Sequence, residues 1–236
     1  MHQQASDIFR TPTFRRIAPF AAFMGCIAVE ELLAFLNSRG LVQLSEPLLQ
    51  WLYLPKLLIT LGVLVLLWPA YGEIQLRDLR KVGNTLTSLL CGILVFALWI
   101  NMDWTFSFQS QPRGFNPQLF TDEAGRWLMI AARITGAVVV VPVMEELFWR
   151  SWLLRYLIKA DFTSVPVGSF TLFSFLAVSV LFGLEHHFIL AGIMAGVMFN
   201  GIFYVTRSIA QCILAHAVAN LFLAGYVLLT GKWLFW

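Results

Sequence analysis

The chain has 236 residues, of which 59% are hydrophobic and only 12% carry a charge. A water-soluble domain contains about 25% charged residues, so this composition predicts an integral membrane protein. The net charge of +3 is small and no basic stripe follows the chain, which argues against a nucleic-acid-binding protein. Cys26, Cys91 and Cys212 lie in separate apolar segments, a spacing that indicates neither a disulfide framework nor a metal site.

Apolar runs of about 20 residues predict seven membrane helices. The fourth run is far longer than one upright span, since a helix rises about 1.5 Å per residue. It must therefore tilt, kink at Pro142 or project beyond the bilayer, and an eighth helix results if it breaks in two. The predicted fold class is an all-α, polytopic transmembrane helical bundle. The predicted spans are residues 17–35, 48–68, 82–102, 126–158, 169–184, 188–206 and 208–230.

Basic residues are concentrated in the loops on one side of these spans, and this asymmetry predicts the topology. The first apolar run lacks a small-residue cleavage site, which predicts a retained span rather than a removed signal peptide. The facing loops carry few basic residues, namely Arg39, Arg113 and Lys232. The N-terminus is therefore expected in the cytoplasm and the C-terminus outside. The residues assigned to the cytoplasmic side are Arg10, Arg15, Arg16, Arg77, Arg80, Lys81, Arg150, Arg155, Lys159 and Arg207.

An acidic pair and an arginine lie inside the fourth run, at Glu145, Glu146 and Arg150. Ionisable groups at bilayer depth are costly and by default indicate a functional site. Residues four apart share a helix face, so Glu146 and Arg150 are predicted to pair. Glu145 then lies about 100° round the helix without that partner, and an unpaired, desolvated carboxylate suits a general base. The alternative is a structural ion pair beside an acid at the membrane surface.

Two further motifs place polar side chains in the later spans. His186 follows Phe182 by four residues at the end of the fifth span, and His187 is adjacent. His216 and Asn220 share one face of the otherwise apolar seventh helix, so both must point into the bundle to avoid unsatisfied polar groups in lipid. The alternatives are interfacial packing for the histidine pair and an interhelical hydrogen-bond clamp for His216 and Asn220.

Together the motifs supply a carboxylate, two imidazoles and an amide on three helices. Such a set could activate a water molecule and stabilise the oxyanion of a tetrahedral intermediate. It could also bind a zinc ion through glutamate and histidine, with one position left for water. The sequence lacks the His-Glu-x-x-His zinc motif, which weakens the metal interpretation without removing it. It also lacks a Gly-x-Ser-x-Gly nucleophile elbow.

Taken in order, the three motifs resemble the CAAX-protease and bacteriocin-processing (CPBP) family of intramembrane endopeptidases. The family pattern is Glu-Glu-x-x-x-Arg, then Phe-x-x-x-His, then His-x-x-x-Asn, and all three parts occur between residues 145 and 220. Gly192 and Gly196 resemble the family's small-residue helix, a spacing that permits close helix packing. The first three spans and residues 233–236 are similar to a bacterial branch encoded beside exosortase sorting systems.

The resemblance implies a glutamate-dependent endopeptidase that hydrolyses a peptide bond of a membrane-associated protein or peptide. Glu145 would act as general base on a water molecule, with His186 assisting or holding that water. The other implied roles are oxyanion stabilisation by His216 and Asn220, and support of the site by Glu146 with Arg150.

The family also supplies expectations for location, cofactors and partners. We expect one membrane domain, residues 1–236, in a bacterial cytoplasmic membrane. Its parts are a cytoplasmic tail (1–16), accessory helices with a polar loop (17–125) and a catalytic helical core (126–232). No cofactor is expected; a zinc-dependent version would use Glu145, His186 and His216. The expected partners are the lipid bilayer, a membrane-associated substrate and an exosortase-type sorting system, with no nucleic acid.

Two other functions compete with the enzyme. They are a non-catalytic scaffold, immunity factor or sorting partner on the same fold, and a small transporter with a proton relay. Every polar member of the motifs is present, which favours the enzyme, and no repeat with paired broken helices indicates a transporter. The topology nevertheless separates Glu145, on the cytoplasmic part of its span, from His186 at an outer span end, so the helices must be staggered or bent.

Glu30 and Glu31 are expected at the outer interface, and Lys56 is expected to snorkel or to pair across the first two helices.

Overall fold

The computed structural model describes residues 9–106 and 114–236. Part of the predicted N-terminal tail and part of the polar loop, including Arg113, lie outside the described residues. Within the described ranges the regular secondary structure is helical. Six helices are long and apolar enough to cross a membrane, and a seventh is apolar but shorter. The predicted all-α transmembrane bundle is therefore confirmed.

The helices follow the predicted spans in order. The first begins with Pro12 directly after Thr11, whose hydroxyl accepts a hydrogen bond from the Phe14 amide, a typical N-terminal cap. The last ends at Gly231, which adopts the left-handed conformation (φ 68°) that favours glycine. The helices are α1 Pro12–Ser38, α2 Glu46–Ala70, α3 Val82–Trp99, α4 Glu123–Tyr156, α5 Leu172–Leu184, α6 Ile189–Thr206 and α7 Ile209–Thr230.

The long fourth run forms one 34-residue helix, so the alternative of a break into two helices is wrong. Two π-helical turns, Gly136–Val140 and Leu147–Leu153, interrupt its α-helical pattern. In the first, the Val141 amide donates to the Gly136 carbonyl five residues back. The Ala137 carbonyl would next require the amide of Pro142, which has no hydrogen to donate. The helix therefore continues past the proline, with one carbonyl inside it left without a helical donor.

Close backbone packing joins α5 to α6. A Cβ atom added to Gly192 would lie 2.8 Å from the Gly183 Cα atom, and one added to Gly196 would lie 3.0 Å from the Ser179 Cα atom. Side chains at these two glycines would push the helices apart. The predicted role of the Gly192 and Gly196 spacing in helix packing is therefore confirmed.

Two ion pairs link α1 to neighbouring parts of the chain. At one end the Arg16 guanidinium donates to both carboxylate oxygens of Glu73, at 2.7 and 2.8 Å, and Ser151 of α4 donates to the same carboxylate. Farther along α1, the Lys56 ammonium lies 2.7 Å from a Glu30 carboxylate oxygen. Lys56 thus pairs across the first two helices, as one of the two expectations for it proposed.

Candidate active site

The three motifs meet at one cavity of about 270 Å³. Glu145 comes from α4, His186 from the loop after α5, and His216 and Asn220 from α7. All four side chains line the cavity, whose remaining walls are mostly aromatic and aliphatic. The structure thus brings together the residues that the sequence patterns singled out. Their catalytic roles stay predictions.

Helix lengths explain how residues from apparently different depths come together. Glu145 lies eleven residues before the end of α4, a rise of about 17 Å. Helix α5 has only 13 residues, about 20 Å, and His186 directly after its end lies beside Glu145. His216 lies seven residues into α7, about 10 Å from the same side. The short α5 thus allows Glu145, His186 and His216 to meet at one level of the bundle.

Glu146 is fully buried and accepts two charge-assisted contacts at one oxygen. Arg150 Nη1 lies 3.1 Å from Glu146 Oε1, which confirms the predicted i, i+4 pair. His216 Nδ1 lies 3.0 Å from the same oxygen. Glu146 is therefore shared between the arginine and the histidine, whereas the sequence pattern assigned it to Arg150 alone.

Arg150 is itself held by a wider network. Its Nε atom donates to Asn200 Oδ1 at 3.1 Å, and its guanidinium lies over the Phe182 ring at 4.6 Å. The Asn200 amide in turn donates to Ser179 Oγ at 3.0 Å. Asn200 was not predicted as a member of the site. The sequence nevertheless contained a signal for it, because Asn200 is the only carboxamide side chain in the apolar helix α6. A polar side chain in an apolar helix must point into the bundle, which is the argument that had been applied to Asn220.

His216 lies between the two glutamates and is oriented by them. Because the Glu146 carboxylate can only accept, its contact places the hydrogen on Nδ1 and leaves Nε2 towards Glu145, 3.9 Å from Glu145 Oε2. The imidazole also stacks on Phe199, with ring centroids 4.8 Å apart. A 3.9 Å separation is too long for a direct hydrogen bond and matches a pair of groups that share a water molecule.

A second group of ligand-type atoms surrounds Glu145. Ligand atoms of Glu145, Glu185 and His186 all lie within 4.8 Å of one another. His186 Nδ1 lies 2.7 Å from the Phe182 carbonyl oxygen, which leaves Nε2 for the cavity. Within the described part of the chain, one buried oxygen of Glu145 and one of Glu185 have no hydrogen-bond partner. Glu185 was missing from the predicted site although it directly precedes His186 in the sequence.

The donor set of this cluster fits a zinc ion. Ligands at 2.0–2.2 Å from zinc lie roughly 3.5 Å apart, so small side-chain movements would close the cluster around the ion. The cluster contains Glu185 in place of His216, which the zinc-dependent alternative had assigned. His216 Nε2 still faces Glu145, at 3.9 Å from Oε2. A zinc ion held by Glu145, Glu185 and His186 would supply Lewis-acid activation of a bound water.

Asn220 has a structural partner as well as a place in the cavity wall. Its Nδ2 atom donates to the Ala137 carbonyl at 2.7 Å, the carbonyl that Pro142 leaves without a helical donor. One amide hydrogen is thereby used, and the second is available for another acceptor. Asn220 therefore couples α7 to the π-helical turn of α4.

The cavity is also closed by parts of the chain outside the three motifs. Phe23 of α1, Tyr53 of α2 and Trp99 of α3 line it, together with Trp236 at the C-terminal end. The helices that were expected to be accessory therefore shape the space around the candidate site. Trp99 also contacts His186, with ring centroids 5.3 Å apart.

Comparison with protein-family models matches residues 126–222 to the model described as "Type II CAAX prenyl endopeptidase Rce1-like". This region is therefore similar to the CAAX-protease family. The matched segment begins in α4 and ends in α7, and it contains every predicted site residue. The resemblance inferred from the three motifs is therefore confirmed. No curated protein and no solved structure gave a significant match.

Proposed function

We propose that this protein is an intramembrane endopeptidase that hydrolyses a peptide bond in a membrane-associated protein or peptide. One observation carries the proposal: a buried Glu145 carboxylate oxygen without a hydrogen-bond partner lies 3.9 Å from His216 Nε2, in a cavity that His186 and Asn220 also line. A carboxylate placed in this way is suited to hold and deprotonate a water molecule. The family match supports the same class of reaction.

In the proposed mechanism, Glu145 takes a proton from a water molecule that also contacts His186 Nε2. The resulting hydroxide attacks the carbonyl carbon of the scissile bond, and the negative charge moves to the carbonyl oxygen. The free amide hydrogen of Asn220 donates to that oxygen. Glu145 then returns its proton to the nitrogen of the leaving amine, so the carboxylate is regenerated.

His216 has a specific requirement in this scheme. Its Nδ1 hydrogen is directed at Glu146, so Nε2 can donate to the oxyanion only when the ring carries both protons. The imidazolium charge is then balanced by the two neighbouring carboxylates, of which Glu146 is shared with Arg150. Glu146 and Arg150 act as positioning residues because neither lines the cavity.

The reaction is proposed as metal-free, with Glu145 as the base. The zinc-dependent version is a second candidate, favoured by the cluster of Glu145, Glu185 and His186. We also propose the cytoplasmic N-terminus, the outer C-terminus and the division into accessory helices and catalytic core as the working topology. A bacterial cytoplasmic membrane and an exosortase-type sorting partner stay predictions from the resemblance.

The test uses purified protein in detergent with pools of apolar synthetic peptides, whose cleavage is followed by mass spectrometry. Wild type should cleave, and Glu145→Gln should lower the rate at least about 100-fold without lowering the unfolding temperature. Glu123→Gln changes an acid in the first turn of the same helix, outside the cavity, and should leave the rate unchanged. Undiminished cleavage by Glu145→Gln would contradict the proposal.

A further inference from the structure

A cationic side chain that none of the motifs includes lines the catalytic cavity. Arg133 lies on α4, twelve residues before Glu145. Cavity-lining residues recur every four positions between them, at Ala137 and Val141. In a regular α-helix, steps of four residues drift by about 40° each, so Arg133 and Glu145 would be about 120° apart. The π-helical turn Gly136–Val140 accommodates an extra residue and brings both side chains to one face.

Arg133 forms no direct ion pair with an acid among the described residues, and Glu30 acts on its charge only at longer range. The guanidinium lies over the rings of Tyr53, at 4.5 Å, and Phe115, at 5.4 Å. No side chain in the described part of the chain forms a salt bridge or a hydrogen bond with it. Glu30, an acid on a neighbouring helix, acts on this charge electrostatically, but its carboxylate is paired directly with Lys56 at 2.7 Å. A cavity-lining cation without a directly paired acid is a candidate binding site for an anion.

A smaller pocket of about 170 Å³ adjoins the cavity and shares Tyr53, Arg133 and Trp236 with it. Arg133 therefore lies at the boundary between the catalytic cavity and a more polar space. The acids Glu31 and Glu46 also line the smaller pocket, but both are exposed, so water screens their charges. They do not neutralise the guanidinium as a buried partner would.

We propose that Arg133 binds a carboxylate of the substrate at the end of the cavity remote from Glu145. This inference rests on the proposed peptidase function and deepens it by naming a specificity-determining residue. A guanidinium presents two parallel N–H donors that match a carboxylate, and aromatic rings on either side hold its plane. The anion is either the C-terminal carboxylate of the peptide or an Asp or Glu side chain.

The spacing along α4 limits how far this carboxylate lies from the cleaved bond. Twelve residues of helix separate the Cα atoms of Arg133 and Glu145 by about 18 Å. An extended peptide advances about 3.3 Å per residue, so at most about five residues fit between the scissile bond and the anchored carboxylate. For a C-terminal carboxylate, the released fragment is therefore a short peptide.

The test measures binding in the Glu145→Gln background, where the peptide stays intact. The probes are N-acetylated octapeptides of Ala, Leu, Val and Phe, each made with a free C-terminal carboxylate, with a C-terminal amide, and with an amidated C-terminal Glu. Tryptophan fluorescence reports binding because Trp99 and Trp236 line the cavity. The free acid should bind about 10- to 100-fold more tightly than the amide. Arg133→Met should reduce that ratio to about one.

Matched variants separate anion binding from a structural role. Arg126→Met changes an arginine on the same helix outside the cavity and should preserve the acid-to-amide ratio. Arg133→Lys keeps the charge and should keep part of the preference, which also provides a folded comparison if Arg133→Met unfolds. If the amidated Glu peptide binds as the free acid does, a side-chain carboxylate is also accepted.

Equal binding of acid and amide to the protein with Arg133 intact, or a ratio unchanged in Arg133→Met, would overturn the inference. These outcomes are separate from failure of the proposed function, which is judged by cleavage with Glu145 intact. A protein that prefers the free acid but never cleaves would contradict the peptidase and leave the Arg133 site supported.

Discussion

Removing Arg150 should strongly destabilise the fold, because it would leave the buried Glu146 carboxylate without its positively charged partner. Arg150 and Glu146 are both fully buried and form an ion pair at 3.1 Å. The substitution Arg150→Met also removes the donor to Asn200 Oδ1. Breaking one side of a buried ion pair costs about 3–5 kcal/mol, mostly the cost of the remaining unpaired charge. We therefore expect Arg150→Met to lower the free energy of unfolding by that amount.

The double variant Arg150→Met with Glu146→Leu should be more stable than Arg150→Met alone. Removing the carboxylate eliminates the unpaired charge, and the losses that remain are the hydrogen bonds of Asn200 and His216, about 1 kcal/mol each, and any packing defect. We expect roughly 2 kcal/mol to be regained. Activity should not return, because His216 Nδ1 has lost the acceptor that orients its ring.

The assay is reversible unfolding in mixed detergent micelles, with wild type, both single variants and the double variant measured under the same conditions. The four free energies give the coupling between the two side chains directly. A loss below about 1 kcal/mol for Arg150→Met would refute the reasoning, since it would mean that the pair is not buried as described. A double variant less stable than Arg150→Met would refute it equally.

Three further predictions use other features of the structure. Gly192→Ala should lower the free energy of unfolding by about 1–3 kcal/mol, because the added Cβ would lie 2.8 Å from the Gly183 Cα atom. It should also reduce peptide cleavage, because the same Cβ would lie 3.2 Å from the His186 Cβ. Gly201→Ala, whose Cβ would have no atom within 4 Å, should change neither stability nor cleavage. Burial raises the pKa of Glu73, but the hydrogen bonds from Arg16 and Ser151 and the charge of Arg16 together outweigh it, so the pKa lies below 4.5. The stability that this ion pair contributes is therefore present above pH 4.5 and is lost as the pH falls through the lowered pKa, and the thermal unfolding of wild type and Glu73→Gln should converge on acidification. A chelator should leave the cleavage rate unchanged if the reaction is metal-free, and loss of activity restored by zinc would contradict that mechanism.

Much of the fold followed from hydropathy and spacing alone. Seven apolar runs gave seven helices, and the i, i+4 spacing of Glu146 and Arg150 gave the observed ion pair. The glycines at 192 and 196 were correctly associated with close helix packing. These features depend on local pattern or on the cost of polar groups in lipid, both of which one sequence reveals.

Contacts between distant segments were harder to predict. No local pattern placed His216 beside Glu146, because that contact joins residues 70 positions apart. The participation of Asn200 and Glu185 also depends on which helices are neighbours. Hydropathy boundaries placed His186 at an outer span end, whereas the length of α5 keeps it inside the bundle. Helix adjacency and helix length set the site, and neither is encoded in a local motif.

The shape of α4 is the link between the fold and the proposed chemistry. A regular α-helix would rotate Arg133 away from the face of Glu145, so one cavity could not receive both side chains. The π-helical turn corrects this rotation, and Pro142 then frees the Ala137 carbonyl, which requires a donor in the absence of water. Asn220 supplies that donor from α7. The residue proposed to stabilise the oxyanion is thus also the residue that satisfies the irregular turn, so helix irregularity and cavity geometry depend on the same side chain.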